Sequence, residues 1–538
     1  MKLLSALLFS AGLAAVPTAQ QSPPDRILVM PFENTGKDPR VVWLSEAASV
    51  LLADELNARG VPAIRRVERV RAFEQLHLPL TASLSRATVI KVGQLVGASE
   101  IVVGTYRLEN DDITVEAHSI RTDVGRLQSD VTERAPLRDL FAIFQRVAAR
   151  LSPGGTSRAP ERSAQPSLAA FESYIKGLIA ESAATQATFL ETAIREYPTF
   201  DRARLALWDV RHEQGDHAAA LSAVRGVSVD SPLSPRARLR SGVSLMELKR
   251  YDESFDAFTS LLGAMKGSKA GAESQSMAPV LNNLGVVLIR RGATPQTGSP
   301  AYYLTKAADA DPADADYRFN LGYSYALGQN YQGAVYWLRE TVRRNPVDAD
   351  AHYVLAAALQ ATGSLVEAAR ERELARQLSS QYETAAPADK PIRSGLERVR
   401  TELVSAQDAR IDEAIVNAAQ REQRDLAAFH LDRGRRFFDK EQDRDAMAEL
   451  RKAVYLLPYE ADAHLLIGRI HLRAGRPQDA VDALKISIWS QESAPARVAL
   501  AGAYMALKNT TAARTELERA LAIDPASAEA KRLLSTLK

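Results

Sequence analysis

From about residue 168 onward, apolar residues recur at three- and four-residue intervals in short segments, each closed by Gly, Pro or a polar pair. That is the pattern of brief amphipathic helices joined by tight turns. The first part of the chain reads differently. Residues 26–32 are a short apolar run of buried-strand type, and residues 61–67 form a second one. Between them Trp43, Leu44, Ala47, Leu51, Leu52 and Leu56 mark a helix ended by Gly60. Helical segments follow at 70–76 and 85–96, then three strand-like runs at 100–108, 113–121 and 125–133, then a helix over 137–151. Polar turns at 109–112 and 122–125 join the three strands. The expected fold is therefore a small α/β domain with a mixed sheet, followed by an all-α solenoid of helical hairpins.

The helical part repeats. Ala220, Ala334, Ala446 and Ala513 are each followed twelve positions later by a proline: Pro232, Pro346, Pro458 and Pro525. Four positions after each alanine stands a large apolar residue, Val224, Leu338, Leu450 or Leu517. Twelve positions before Ala334 is the Leu321-Gly322 pair with Tyr325 beyond it. Leu284-Gly285, Ile467-Gly468 and Arg433-Gly434 fill the same slots elsewhere. Small residues let the two helices of a hairpin approach, and bulky ones fill the space beside that contact. Gly215, Gly363 and Gly475 fall where a left-handed cap ends the first helix, and the proline closes the second.

Gly434 and Gly468 are 34 residues apart, and in period and residue types this pattern resembles the tetratricopeptide repeat. Units begin near Ala170, Asp201, Pro235, Ala278, Ala315, Ala349, Ala427, Ala461 and Ala494. Six fall in a first block (168–384) and three in a second (425–538), which ends in a capping helix at 528–537. A loop insertion is expected at 263–277, a longer turn at 293–299, and a linker with a charged helical stretch through Leu396, Val399, Leu403, Ile411 and Ile415 at 385–424. The resemblance implies a concave face lined by the first helix of each unit, where partner proteins or peptides bind. Its positions hold Asn282, Asn283 and Arg290, then Phe319, Asn320 and Tyr323, then Tyr353 and Gln360, with Arg435, Arg469 and Arg473 in the second block. Asn283 and Asn320 stand where peptide-binding relatives often keep an asparagine on an extended peptide's backbone.

In the first domain (26–151), Val29-Met30-Pro31-Phe32-Glu33-Asn34-Thr35-Gly36, the Trp43-Leu44-Ser45 helix start and residues 95–104 resemble the TolB N-terminal-like domain of bacterial envelope proteins. That resemblance implies protein contacts in the envelope and no catalytic centre. A Pro/Ser/Arg linker at 152–167 joins this domain to the repeats.

Composition narrows the function. The 538 residues carry 68 basic and 66 acidic side chains, a net charge of +2, mixed along the chain, with 6% aromatics. No concentrated basic face or stacking platform points to nucleic acid. The absence of cysteine removes disulfides, thiolate metal sites and cysteine nucleophiles. Lys2, the apolar run 3–16 and Pro17-Thr18-Ala19 read as a secretory signal (1–19), too short to span a bilayer, which places the mature protein in the periplasm or outside the cell. His212 and His217 are five apart around Gly215, the wrong spacing for a metal helix, and the packing reading is preferred for His464 and His471. Asp309, Asp311, Asp314 and Asp316 read as capping at the Pro312 junction. No phosphate loop or nucleophile elbow occurs.

The expectation is an exported scaffold, not an enzyme and without a cofactor. It would hold protein or peptide partners in the repeat groove while the α/β domain docks another component of an envelope complex. The alternative is an enzyme or small-ligand sensor with a polar pocket at the strand ends near Asn34, Gly36 and Gly104.

Overall fold

The computed structural model describes residues 26–80, 84–122, 127–152, 165–267, 277–383, 392–403 and 406–537. The secretory segment, most of the 152–167 linker and the start of the 385–424 linker lie outside the described residues. The chain divides into two compact units at residues 164 and 165.

The first unit is built on β1 (Ile27–Val29), β2 (Glu33–Asn34), α1 (Leu44–Ala58), α2 (Arg66–Gln75), α3 (Arg86–Leu95), β3 (Glu100–Glu109), β4 (Asp112–Arg121), β5 (Leu127–Pro136) and α4 (Leu140–Leu151). β1 and β2 lie in succession along one edge of β3, both parallel to it, interrupted at Pro31; β4 and β5 continue the sheet antiparallel. The β3–β4 turn is Asn110-Asp111, both with positive φ (48° and 67°), the backbone a two-residue type I′ hairpin demands. The strand expected at 61–67 shrinks to a single bridge from Ala63 to Ile27. Asn57 occupies both the amide and the carbonyl of Ala63 (3.0 Å each), and α2 begins at Arg66. A side chain thus takes the backbone partners that a second strand would have used.

Among its described residues the second unit is helices and their turns apart from one segment. Its first block pairs α5 (Leu168–Ile179) with α6 (Ala183–Glu196), α7 (Asp201–Glu213) with α8 (His217–Arg225), and α9 (Ser234–Glu247) with α10 (Tyr251–Gly267). It continues with α11 (Ala278–Arg291) and α12 (Pro300–Ala310), α13 (Ala315–Leu327) and α14 (Tyr331–Arg344), α15 (Ala349–Ala361) and α16 (Leu365–Leu378). The second block pairs α17 (Ala406–Asp439) with α18 (Asp443–Leu456), α19 (Ala461–Arg473) with α20 (Pro477–Ser490), and α21 (Ala494–Ala506) with α22 (Thr510–Ile523), and ends in α23 (Ala528–Thr536). α10 runs on to Gly267, beyond the expected start of the insertion at 263.

The marker residues do what their sizes demand. A Cβ on Gly322 would sit 2.8 Å from Leu338 Cγ, one on Gly434 2.7 Å from Leu450 Cγ, and one on Gly468 2.5 Å from Leu484 Cγ. Hydrogen at these positions is what allows the hairpin to close. Gly215, Gly363 and Gly475 take positive φ (74°, 84° and 69°) at the turn, and Lys249, Gln329, Glu441 and Lys508 adopt the same left-handed conformation in other hairpins.

Residues 392–403 overturn the helical reading of the 385–424 stretch over that span. They form neither helix nor strand, with bends at 392, 394, 395 and 402 and a positive φ of 86° at Gly395. Among the described residues no backbone-to-backbone hydrogen bond holds them, so side chains and solvent must satisfy their polar backbone. Leu396, Val399 and Leu403 do have helical spacing, but they are used otherwise: Leu403 and Val399 pack with Trp208, Val243 and Leu284, and Leu396 packs with Phe319, Tyr323 and Leu355. The helix starts at Ala406.

Candidate peptide-binding groove

Asn282 and Asn283 sit mid-way along α11, and Asn320 mid-way along α13, all fully buried. An amide side chain buried without partners is costly, and here each is satisfied by the extended segment. Asn320 donates from Nδ2 to the Arg398 carbonyl (2.7 Å) and accepts the Arg398 amide on Oδ1 (2.8 Å). Asn283 does the same for Arg400, at 2.7 and 2.9 Å. Asn282 joins the two, donating to the Arg398 carbonyl (2.9 Å) and to Asn283 Oδ1 (3.2 Å) while accepting from Asn320 Nδ2 (2.7 Å). Further along, the Tyr323 hydroxyl donates to the Arg393 carbonyl (2.8 Å), and burial pushes its pKa up to about 12.

Side chains add charge to this backbone grip. The Arg398 guanidinium meets both Asp348 oxygens (2.6 Å each) and Asp316, and lies 3.9 Å over the Phe319 ring. Arg400 meets Asp314 and Asp316 and lies 4.8 Å from the Tyr317 ring centre. Burial works against charge on both guanidiniums, but the facing aspartates outweigh it and hold both pKa values above the ordinary arginine range. In the other sense, Arg290 binds Glu397 (2.6 Å) and Glu247 (2.9 Å), and Arg240 on α9 binds Glu402 and Asp209. Tyr353 stacks on Tyr382 (4.5 Å) with Arg393 over both rings.

The segment therefore runs backwards along the block, from α15 past α13 and α11 to α9. Twelve residues can reach at most about 40 Å, and α17, at 1.5 Å per residue about 50 Å long, carries the chain back to its hairpin with α18.

Seven of the expected groove residues thus converge on one segment: Asn282, Asn283, Arg290, Phe319, Asn320, Tyr323 and Tyr353. Gln360 stands apart and accepts from Arg372. In the second block Arg435 pairs with Asp462 (2.6 Å) and Arg473 with Asp443 (2.5 Å), the latter 3.9 Å over the Phe438 ring. Arg469 is half-buried.

Asp314, Asp316, Asp348, Arg240 and Glu247 were missed as groove residues. Asp314 shows why: its Oδ1 caps α13 by accepting the Asp316 and Tyr317 amides, as expected of that junction, while its Oδ2 receives Arg400. One signal hid the other.

The strand ends favoured by the alternative reading are filled. A Cβ on Gly104 would fall 2.3 Å from the Phe32 ring and 2.5 Å from the Glu116 carbonyl oxygen, one on Gly36 would be 3.3 Å from Arg107 Cγ, and Asn34 donates to the Asp38 carbonyl. His212 stacks on Trp208 (4.4 Å), and burial lowers its pKa. His464 is buried against the Pro458 carbonyl. Among the described residues no group of three or more His, Cys, Asp or Glu is placed to hold a metal, and no helix is long and apolar enough to cross a membrane.

Two sequence profiles, both described as tetratricopeptide repeat, match the chain, one at residues 205–269, 301–346 and 431–496 and the other at 486–537. The chain carries tetratricopeptide repeats. No curated protein matches it. Similar solved structures include YrrB, described as a TPR protein with an unusual peptide-binding site (18% identity, 36% of this chain and 94% of that one, TM-score 0.27). MamA from Desulfovibrio magneticus RS-1 matches at 16% identity over 34% of this chain and 97% of that one, TM-score 0.28. The C-terminal part of a TPR repeat-containing protein from Cytophaga hutchinsonii matches at 16% identity over 61% and 98%, TM-score 0.27. Tetratricopeptide-repeat proteins are general protein–protein interaction scaffolds that bind protein or peptide partners.

Proposed function

We propose that this protein is an exported interaction scaffold, which holds partner segments in its repeat grooves and docks a second component of the bacterial envelope through its TolB-like α/β domain. The observation that carries the reading is the asparagine ladder. Asn283 and Asn320 bind backbone, so they grip an extended chain without regard to its side chains, while the surrounding aspartates and arginines supply selectivity. Export rests on the residue pattern of positions 2–19. Docking by the first domain rests on its resemblance alone.

The test uses the full chain expressed in a bacterium with its first residues intact. Fractionation and N-terminal sequencing should find it outside the cytoplasm with its start near residue 20. Cross-linking in the envelope should capture a protein that the Asn283→Ala, Asn320→Ala chain loses. A cytoplasmic, uncleaved chain would refute export; capture unchanged by the double substitution would refute the groove.

A further inference from the structure

Residues 392–403 show what chemistry the groove reads. Arg398 and Arg400 are two apart, so in extended backbone they point to the same side, and each enters a site made of carboxylates and an aromatic ring. Asp348 takes Arg398 Nη2 with both oxygens while Asp316 takes Nη1, Phe319 lies beneath the guanidinium, and Asp316 also touches Arg400. Two nitrogens held by two separate carboxylates, with the flat face of the cation over a ring, are matched by planar guanidinium and not by ammonium. The residue between the arginines, Val399, lies against the apolar cluster of α7 to α13. One place before them Glu397 meets Arg290, and two places after them Glu402 meets Arg240.

The same contacts are of a kind that can be exchanged. The segment has no described backbone pairing with any strand or helix; side-chain amides and the Tyr323 hydroxyl hold its backbone, and these would accept any extended chain. Most of its side chains keep partial exposure, Ile392, Glu397 and Leu403 being the buried ones. A segment tethered to its own groove acts at an effective concentration of the order of millimolar, so a free peptide meets a filled site.

We propose that the groove of the first block selects an extended protein segment carrying two arginines two residues apart, and that residues 392–403 are its resident occupant, which a partner segment of this chemistry displaces. This rests on the groove being a binding surface, as proposed above, and adds its selectivity and its internal competitor.

The experiment uses the full chain and a fluorescent peptide of sequence 392–403, with companions in which both arginines are replaced by lysine or by alanine. The Arg398→Ala, Arg400→Ala chain, its fold checked by circular dichroism, should bind the arginine peptide roughly tenfold or more tighter than the unsubstituted chain does. It should bind the lysine and alanine peptides at least roughly tenfold less well than the arginine peptide. Adding Asn283→Ala and Asn320→Ala should abolish binding. Equal binding of all three peptides overturns the arginine selectivity while leaving the groove a binding surface. No binding of any peptide by the folded variant overturns both. A second measurement needs no variant: excess arginine peptide should speed hydrogen exchange at the Arg398 and Arg400 amides of the unsubstituted chain severalfold, and unchanged exchange overturns displacement.

Discussion

Asn320 takes both backbone groups of Arg398, donating to its carbonyl at 2.7 Å and accepting its amide at 2.8 Å across 78 residues of sequence. In effect the side-chain amide stands in for one rung of a β-ladder, and it does so from a fully buried position in a helix.

Asn320→Ala removes that rung and strands two groups, the Arg398 amide and the Asn282 Oδ1 that Asn320 also serves, and it takes the shorter of two hydrogen bonds from the Arg398 carbonyl. With about 1–3 kcal/mol for each buried group left unpaired, and Asn282 still serving the carbonyl, the expected loss is about 2–4 kcal/mol in urea unfolding. A loss below about 0.5 kcal/mol would mean that water replaces the amide at little cost.

Two glycines should fail for different reasons. Gly468→Ala drives a methyl to 2.5 Å from Leu484 Cγ, an overpacking cost of about 1–3 kcal/mol. Leu484→Ala in the same chain should restore part of what is lost relative to the sum of the single changes. Gly363 has open space around it but φ of +84°, so Gly363→Ala should cost about 1 kcal/mol through backbone alone, and no neighbouring truncation should relieve it. Thermal melts of the four variants separate the two cases.

Stability should fall on the acid side through His464. Burial, reinforced by the Arg370 charge and opposed by the Pro458 carbonyl, lowers its pKa to about 3. The unfolded chain then binds a proton below about pH 6.5 that the folded chain refuses, so stability declines as pH falls from about 6.5 toward 3, by about 1.4 kcal/mol per unit. His464→Gln should flatten this slope by about 2 kcal/mol between pH 7 and 5. An unchanged slope would place the acid sensitivity elsewhere.

In the first unit, Asp111 holds φ of 67° at the second turn position. Asp111→Gly keeps the carbonyl that accepts from the Leu137 amide and removes the left-handed penalty, so the melting temperature should rise, with a gain of about 0.5–1 kcal/mol. A fall would show that the Asp111 side chain contributes more than its backbone costs.

The helical hairpins were legible because their determinants are local and periodic. Gly322 and Leu338, or Gly468 and Leu484, lie sixteen residues apart and recur unit after unit, so spacing alone exposes the contact. The groove asparagines were legible as positions for the same reason. What occupies them was not. Leu396, Val399 and Leu403 keep the spacing of a helical face, and in isolation nothing contradicts that reading.

The amino-acid sequence by itself determined a repeated small–large packing code, and with it the hairpins, their turns and the side of each first helix that faces the groove. Only the tertiary structure decided that residues 392–403 fill that groove. The reason is one of distance: Asn283 reaches Arg400 across 117 residues and Arg240 reaches Glu402 across 162. Amides and carboxylates gathered from four helices outweigh the local preference of one short segment, and no window of the sequence contains both sides of that competition.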